Sequence, residues 1–274
     1  MQALSPLWDP PKGVLGRIVA EAHARAAALS VRSEELRHMV SAAPPVRSMS
    51  SALLQAHVAI IAEVKRRSPS RGAINPTISA EASSLAYESG GASAVSVLTE
   101  PLHFGGSTAD LQLVAEAVSI PILCKDFIVD ELQIIEARGA GASAVLLIVR
   151  ALSPDQLQRL LKTAREWELG ALVEIRSEQE LERAVAAGAR IIGVNNRNLE
   201  TLEMDLLTSQ RLLPLIPNDL VAVAESGIET AKDVRTAADS GADAVLVGSS
   251  LSQAADPASS VRALSSVPRR GRAN

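Results

Sequence analysis

One short motif recurs four times along the chain and narrows its fold more than any other feature. It reads Gly91-Ala92-Ser93-Ala94-Val95, Gly141-Ala142-Ser143-Ala144-Val145, Gly188-Ala189-Arg190-Ile191-Ile192 and Gly241-Ala242-Asp243-Ala244-Val245, with its alanines 50, 47 and 53 residues apart. In each copy a glycine suited to ending a helix hands over to an apolar run of strand type. A period of that length holds two strand–helix units, so four periods give eight. Apolar runs end near Val64, Leu98, Cys124, Val149, Val173, Val194, Ala224 and Val247. Strands that alternate with helices pair in parallel through right-handed crossovers. Eight such units close most economically into an α/β (β/α)8 barrel of the TIM type, with an open doubly wound sheet as the alternative.

Helix end signals support the alternation. Ser153-Pro154 starts a helix that Gly170 stops; Ser177 with Glu180 reads as a capping box whose helix ends at Gly188; Asp130 can cap a helix ending at Gly139. The composition is 47% hydrophobic but only 2% aromatic, so the core must be built from Ala, Val, Leu and Ile, the residues of parallel strands buried on both faces. Residues 1–57 read as an N-terminal helical extension over the barrel mouth, with a helix from Val14 to Leu29 and a short one over Ser50 to Gln55. Residues 58–265 make the barrel, and 266–274 read as a disordered basic tail. The net charge of −4 gives no reason to expect nucleic acid or a membrane as partner. No apolar run approaches membrane-spanning length, the N-terminus lacks a secretory pattern, and the single Cys124 fits a reducing compartment. The expectation is a cytoplasmic enzyme of small molecules, monomeric or weakly dimeric.

The stretch from Val58 to Gly72 begins as a buried strand and then places Glu63 and Lys65 at its end, two apart and so on one side. Later strands end on Lys125 and Asp126, on Glu174, on Asn195 and Arg197, and on Glu225 and Ser226. In a barrel these carboxyl ends meet at one mouth, where two lysines and three glutamates can tune one another for acid–base work. A structural ring of ion pairs is the plain alternative. Ser226-Gly227-Ile228 and Gly248-Ser249-Ser250 follow the last two strands, the usual phosphate seat of barrels, although small residues in a loop are ordinarily just turns. Phe104 and Phe127 stand beyond strand ends, either capping the core or flanking a flat apolar group. His103 has no partner at metal spacing and reads as solvent-facing, while Cys124 reads as packing. No Gly-x-Gly-x-x-Gly follows a strand and no P-loop is present, so a nucleotide cofactor is not expected.

IIAEVKRRSPSRG, SVLTEPLHFGGSTADL, PILCKDFIVDELQI, LVEI, IIGVNNRNLET, VAESGI and LVGSSL, in that order over roughly residues 13 to 265, resemble the indole-3-glycerol phosphate synthase family. The combination of Glu63-x-Lys65-x-x-Ser68-Pro69 with Lys125-Asp126-Phe127 and Asn195-x-Arg197 is highly specific. The resemblance implies closure of the indole ring from 1-(2-carboxyphenylamino)-1-deoxyribulose 5-phosphate with loss of carbon dioxide and water, without cofactor or metal. It implies Lys125 as general acid at the sugar carbonyl, Glu174 as acid–base partner, and Lys65 with Glu63 contacting substrate or assisting dehydration. It implies Asn195, Glu225 and Ser226 as hydrogen-bonding groups, Arg197 at an anionic end of the substrate, and Ser68, Gly227, Gly248 and Ser249 near the phosphate. A lysine ammonium placed beside other cations gives up its proton more easily, which would suit that acid role. Asn198 and Leu132 depart from the commoner Asp and Tyr of the family, and small effects are expected from both. Two other readings stay open on the residues alone: a Schiff-base aldolase of phosphosugars with Lys125 as nucleophile, and a non-catalytic phosphate-binding barrel.

Overall fold

Eight strands carry the apolar runs into one closed parallel sheet. They are β1 (Ala59–Val64), β2 (Ala94–Leu98), β3 (Ile122–Lys125), β4 (Ala144–Ile148), β5 (Gly170–Ile175), β6 (Ile191–Asn195), β7 (Val221–Glu225) and β8 (Ala244–Val247). The computed structural model describes residues 8–272; residues 1–7 of the expected extension and 273–274 of the expected tail lie outside them. Each strand pairs with the next, and β8 returns to β1 in the register Ala59↔Ala244 to Ala62↔Val247, which rules out the open sheet. The strand residues of β1, β2, β4, β6, β7 and β8 are all buried, so both faces of the sheet are covered as a parallel barrel requires. No helix among the described residues is long and apolar enough to cross a membrane.

The outer helices begin where local chemistry satisfies their free N–H groups. Ser153 and Gln156 form a reciprocal capping box on the helix Pro154–Glu166, and Asp130 with Gln133 does the same on Glu131–Gly139. Ser177 accepts from the Glu180 N–H as expected, but the Glu180 carboxylate takes the Arg176 N–H at 2.6 Å, one residue before the cap. The expected box is therefore only half reciprocal.

Before the barrel come α1 (Gly13–Leu29), α2 (Ser33–Ala42) and α3 (Met49–Leu53). α2 is not among the elements expected from the sequence, although Leu36, Met39 and Val40 fall on one helical face; Leu36 is buried, the other two are half-buried, and the helix packs against Glu131–Gly139. The start of α1 is strapped to the loop after β6: the Val14 N–H donates to the Glu200 carbonyl at 3.1 Å and the Lys12 N–H to its carboxylate at 2.6 Å. Arg150 closes the strap, donating to Glu200 and to the Asp9 carbonyl. Farther along α1, Arg25 makes a two-pronged pair with Asp126, at 2.7 and 3.1 Å. His103, expected to face solvent, is instead partly buried with its Nε2 2.6 Å from the Glu21 carboxylate of α1. That partner is 82 residues away, beyond the reach of any local pattern.

The segment from 266 is likewise not a frayed tail as far as it is described. Val267 is buried and accepts from the Val58 N–H at 2.8 Å, and the Arg269 N–H donates to the Ala56 carbonyl. Arg269 and Arg272 both pair with the buried Asp243 at 2.8 Å, and Arg272 also donates to the Leu220 and Gly241 carbonyls. The arginines bind at the foot of the barrel because a carboxylate buried there requires partners.

Candidate active site

Charged side chains reach the mouth from alternate strands. Glu63 lies near the end of β1, Lys125 ends β3, Glu174 lies near the end of β5 and Glu225 ends β7. In a barrel of eight, odd strands point into one layer and even strands into the next, so these four form one charged layer above a core of Val, Ile, Leu and Ala. Lys125 Nζ stands 3.5 Å from Glu225 Oε2 and 3.8 Å from Glu174 Oε2. Lys65, just past β1, turns back to Glu63 with Nζ 2.7 Å from Oε1, and Ser96 of β2 donates to the other oxygen of Glu63.

The electrostatics follow from who faces whom. Burial opposes the Lys125 ammonium, but Glu225, Glu174 and Glu63 outweigh it and hold its pKa above the ordinary lysine value. The expectation of an easily lost proton is thus reversed: Lys125 is ringed by carboxylates, and the other lysine is taken by Glu63. Burial is also the chief cause at Glu225, whose carboxyl is pushed up to about 8; Lys125 works against the shift, while Glu174 and Glu63 add to it. Burial pushes Glu63 the same way, but the charges of Lys65 and Lys125 and the bonds from Lys65 and Ser96 prevail and hold it below the usual carboxylate range. Both oxygens of Glu225 are buried, and its cation, Lys125, 3.5 Å from Oε2, is shared with Glu174. A buried carboxylate kept in that state costs stability, and such costs concentrate at working sites.

Of the fourteen residues singled out in the sequence, thirteen line one pocket at this mouth: Glu63, Lys65, Ser68, Phe104, Lys125, Phe127, Glu174, Asn195, Arg197, Ser226, Gly227, Gly248 and Ser249. The fourteenth, Glu225, stands against Lys125 at the floor. Phe104 and Phe127 have ring centroids 6.1 Å apart, and with Val14 and Ile18 of α1 they give one side of the pocket an apolar wall. Phe127 is buried yet still borders the pocket. Asn195 is buried and accepts from the Arg197 N–H, and the Arg197 guanidinium donates to the Leu202 carbonyl at 2.9 Å. On the neighbouring loop after β7, Ser226 and Gly227 both take positive φ, 68° and 79°. Ser226 is thus a non-glycine residue held in a conformation that costs about 1 kcal/mol or more.

Several residues that shape the site carry no functional assignment from the sequence. Glu100 is fully buried, and its carboxylate accepts the N–H groups of Leu102, His103 and Phe104 at 2.9, 2.6 and 3.0 Å. That staple aims Phe104 into the pocket. Gly193 in β6 leaves room for Glu225: a Cβ there would collide with the Glu225 carboxylate. A glycine inside an apolar strand is the signal that could have found it. Gly248 does the same for Glu63, whose Oε1 would lie 2.5 Å from an added Cβ, so this glycine shapes the floor as well as the rim. Ser252 accepts from the Lys65 N–H and donates to the Glu63 carbonyl, fixing the backbone on which both charges sit. Among the described residues no group of three or more His, Cys, Asp or Glu is arranged to hold a metal ion.

A family model described as indole-3-glycerol phosphate synthase matches residues 15–264. The chain belongs to the indole-3-glycerol phosphate synthase family. Members similar to it include the indole-3-glycerol phosphate synthase of Rhodococcus opacus, 46% identical over 248 residues that cover 90% of this chain and 91% of that one. That of a Nocardioides species is 50% identical over 233 residues, covering 85% and 90%. Among solved structures, 3-hexulose-6-phosphate synthase from Salmonella typhimurium superposes with a TM-score of 0.61 at 17% identity, covering 76% of this chain and 97% of that one. That likeness speaks for the fold alone. Of the two departures from the commoner family pattern, Asn198 serves its own loop. Its side-chain carbonyl accepts the N–H groups of Glu200 and Thr201, as a carboxylate would.

Proposed function

We propose that this chain is an indole-3-glycerol phosphate synthase, closing the indole ring of 1-(2-carboxyphenylamino)-1-deoxyribulose 5-phosphate in tryptophan biosynthesis. The observation that carries the reading is the charged layer itself: Lys125 held protonated by three carboxylates beneath a pocket with an apolar wall on one side and Gly and Ser loops on the other. The phosphate sits between the loops after β7 and β8, with Ser68, Gly227, Gly248 and Ser249 around it. The aryl ring lies along Phe104 and Phe127, and Arg197 meets the substrate's carboxylate.

With the substrate so placed, Lys125 donates its proton to the ketone oxygen as the aryl carbon that bears the carboxylate attacks the carbonyl carbon. One C–C bond forms and the carbonyl becomes a hydroxyl. Carbon dioxide then leaves, its bonding electrons returning to the ring. Loss of the hydroxyl as water needs an acid beside it and a base for a proton of the adjacent CH2, the carbon bonded to nitrogen, so that the C=C bond of the indole forms. Lys65, anchored by Glu63, and Glu174, beside Lys125, supply that pair. Glu225 stays close to Lys125 and carries either protonation state near neutral pH, which makes it a proton reserve under the acid. Asn195 and Ser226 orient the hydroxyls of the sugar chain.

A Schiff-base mechanism needs Lys125 without its proton, and its three carboxylate neighbours oppose that state. Supplying the carboxyphenylamino-deoxyribulose phosphate and following indole fluorescence tests the proposal. Product formed by the native chain and lost in Lys125→Met supports it; no product from the native chain defeats it. Borohydride trapping of substrate on Lys125 would instead favour the aldolase.

A further inference from the structure

The tip of the loop after β1 holds a cation that the reaction scheme does not use. Arg67–Ser68 and Gly72–Ala73 form a two-residue antiparallel hairpin, and Arg71 sits at its turn. Gly72 takes φ +66° with nothing within 4 Å of where a Cβ would be, so the tip stands clear of the body. Arg71 and Glu229 both line the catalytic pocket, alongside Ser68, Gly227 and Gly248. Arg71 Nη2 lies 2.9 Å from Glu229 Oε1, so the pair bridges the β1 and β7 loops across the phosphate corner.

Two further facts bear on what this bridge does. Its members are 46% and 48% exposed, so the pair is worth little by itself and is cheap to break. Arg71 also stands near Arg197: after burial, the Arg71 charge is the next cause that holds the Arg197 pKa below its usual value. Two guanidiniums that repel each other at one pocket rim both gain from an anion, whereas Glu229 in the same corner repels one.

We propose that Arg71 is a hand-over residue, released by Glu229 to an incoming phosphate group. The inference rests on the reading that the phosphate seats between the β7 and β8 loops. Glu229 neutralises Arg71 and parks it at the rim; the phosphate dianion competes for the guanidinium, and the displaced Glu229 turns out to solvent. The hairpin tip then closes over the phosphate, which links substrate capture to loop position.

The test titrates inorganic phosphate into the folded protein at constant ionic strength and reads affinity from the rise in melting midpoint. Four proteins are compared: the native chain, Glu229→Gln, Arg71→Ala and the double variant. Glu229→Gln frees Arg71 and tightens phosphate binding about threefold. Arg71→Ala weakens it about tenfold, because it both removes a cation and unmasks Glu229. The double variant falls between Arg71→Ala and the native chain. KM for the phosphorylated substrate moves in the same order. Equal affinities for the native chain and Glu229→Gln, or for Arg71→Ala and the double variant, overturn the hand-over. Indole formation is read separately. A chain that makes indole with unchanged phosphate affinities refutes the hand-over alone, and one that shows the predicted affinities but makes no indole refutes the enzyme reading alone.

Discussion

The two ends of the barrel each bury carboxylates beside basic side chains, and they treat them in opposite ways. At the foot, Asp243 is 2% exposed and every contact is matched: Arg269 on one oxygen, Arg272 and the Ala222 N–H on the other. At the mouth, Glu225 is 1% exposed and its cation, Lys125, stands 3.5 Å away and is shared among three carboxylates. The first arrangement repays the cost of burying charge and leaves nothing available for chemistry. The second leaves charge poised for a substrate to use. Burial and charge alone therefore do not separate the mouth from the foot; one buried ammonium shared among several carboxylates does.

Substitutions at the two ends should separate activity from stability. The largest effect is expected for Lys125→Met at the mouth: kcat/KM for indole formation falls about a thousandfold, as befits loss of a general acid, while circular dichroism shows the fold retained. Near-native turnover by that variant would break the comparison. At the foot, Arg272→Ala takes one of two arginines from Asp243, leaving Arg269 and the Ala222 N–H, and lowers the free energy of unfolding by about 2 kcal/mol, read by urea titration, with kcat unchanged. A fall in kcat equal to the one at Lys125 would show that the two ends are not distinct.

Glu174→Gln is expected to lower kcat about a hundredfold with KM little changed, since it removes a proton carrier rather than a binding contact. A change confined to KM would reassign it to binding. The smallest effect is expected for Glu200→Ala, which loosens the strap that sets Val14 and Ile18 over the pocket. There KM rises about threefold, the worth of a partly exposed charged contact.

Much of the mouth was legible in the sequence because strand periodicity is local. Once the fourfold repeat fixes eight strands, the residues ending them must converge, and Glu63, Lys125, Glu174 and Glu225 do. What could not be read is set by contacts across the chain. SSVPRRGRAN carries no periodicity, and its arginines acquire a role only because Asp243, 29 residues before Arg272, is buried beside them. A trace did exist: the third position of the repeat is Ser93, Ser143 and Arg190 in three copies and Asp243 in the fourth, where a carboxylate enters a buried strand. The proton affinity of Lys125 lies beyond the sequence for the same reason. Strand order tells which residues meet at the mouth, not that Lys65 would be taken by Glu63 and leave Lys125 facing carboxylates alone. Glu100 also lay in plain view in SVLTEPLHFGG, but a carboxylate that accepts three N–H groups of its own loop looks like any surface acid until the loop is folded.

Burial of Glu225 beside two other carboxylates alters stability in a way that sharpens the contrast. The Glu225 carboxyl is raised from 4.5 to about 8 in the fold, so the native state keeps a proton that the unfolded chain releases. Its contribution to stability is fully present below pH 4.5 and is lost as pH rises through about 8. Glu225→Gln, which stays uncharged, should therefore gain in melting midpoint relative to the native chain across that window and match it at the acid end. The most direct measurement is the titration of Glu225 itself, from the carboxyl resonance present in 13C-glutamate-labelled native protein and missing in Glu225→Gln. A midpoint near 8 is expected; a midpoint at the ordinary value of 4.5 would contradict a carboxyl buried among like charges at the mouth of this barrel.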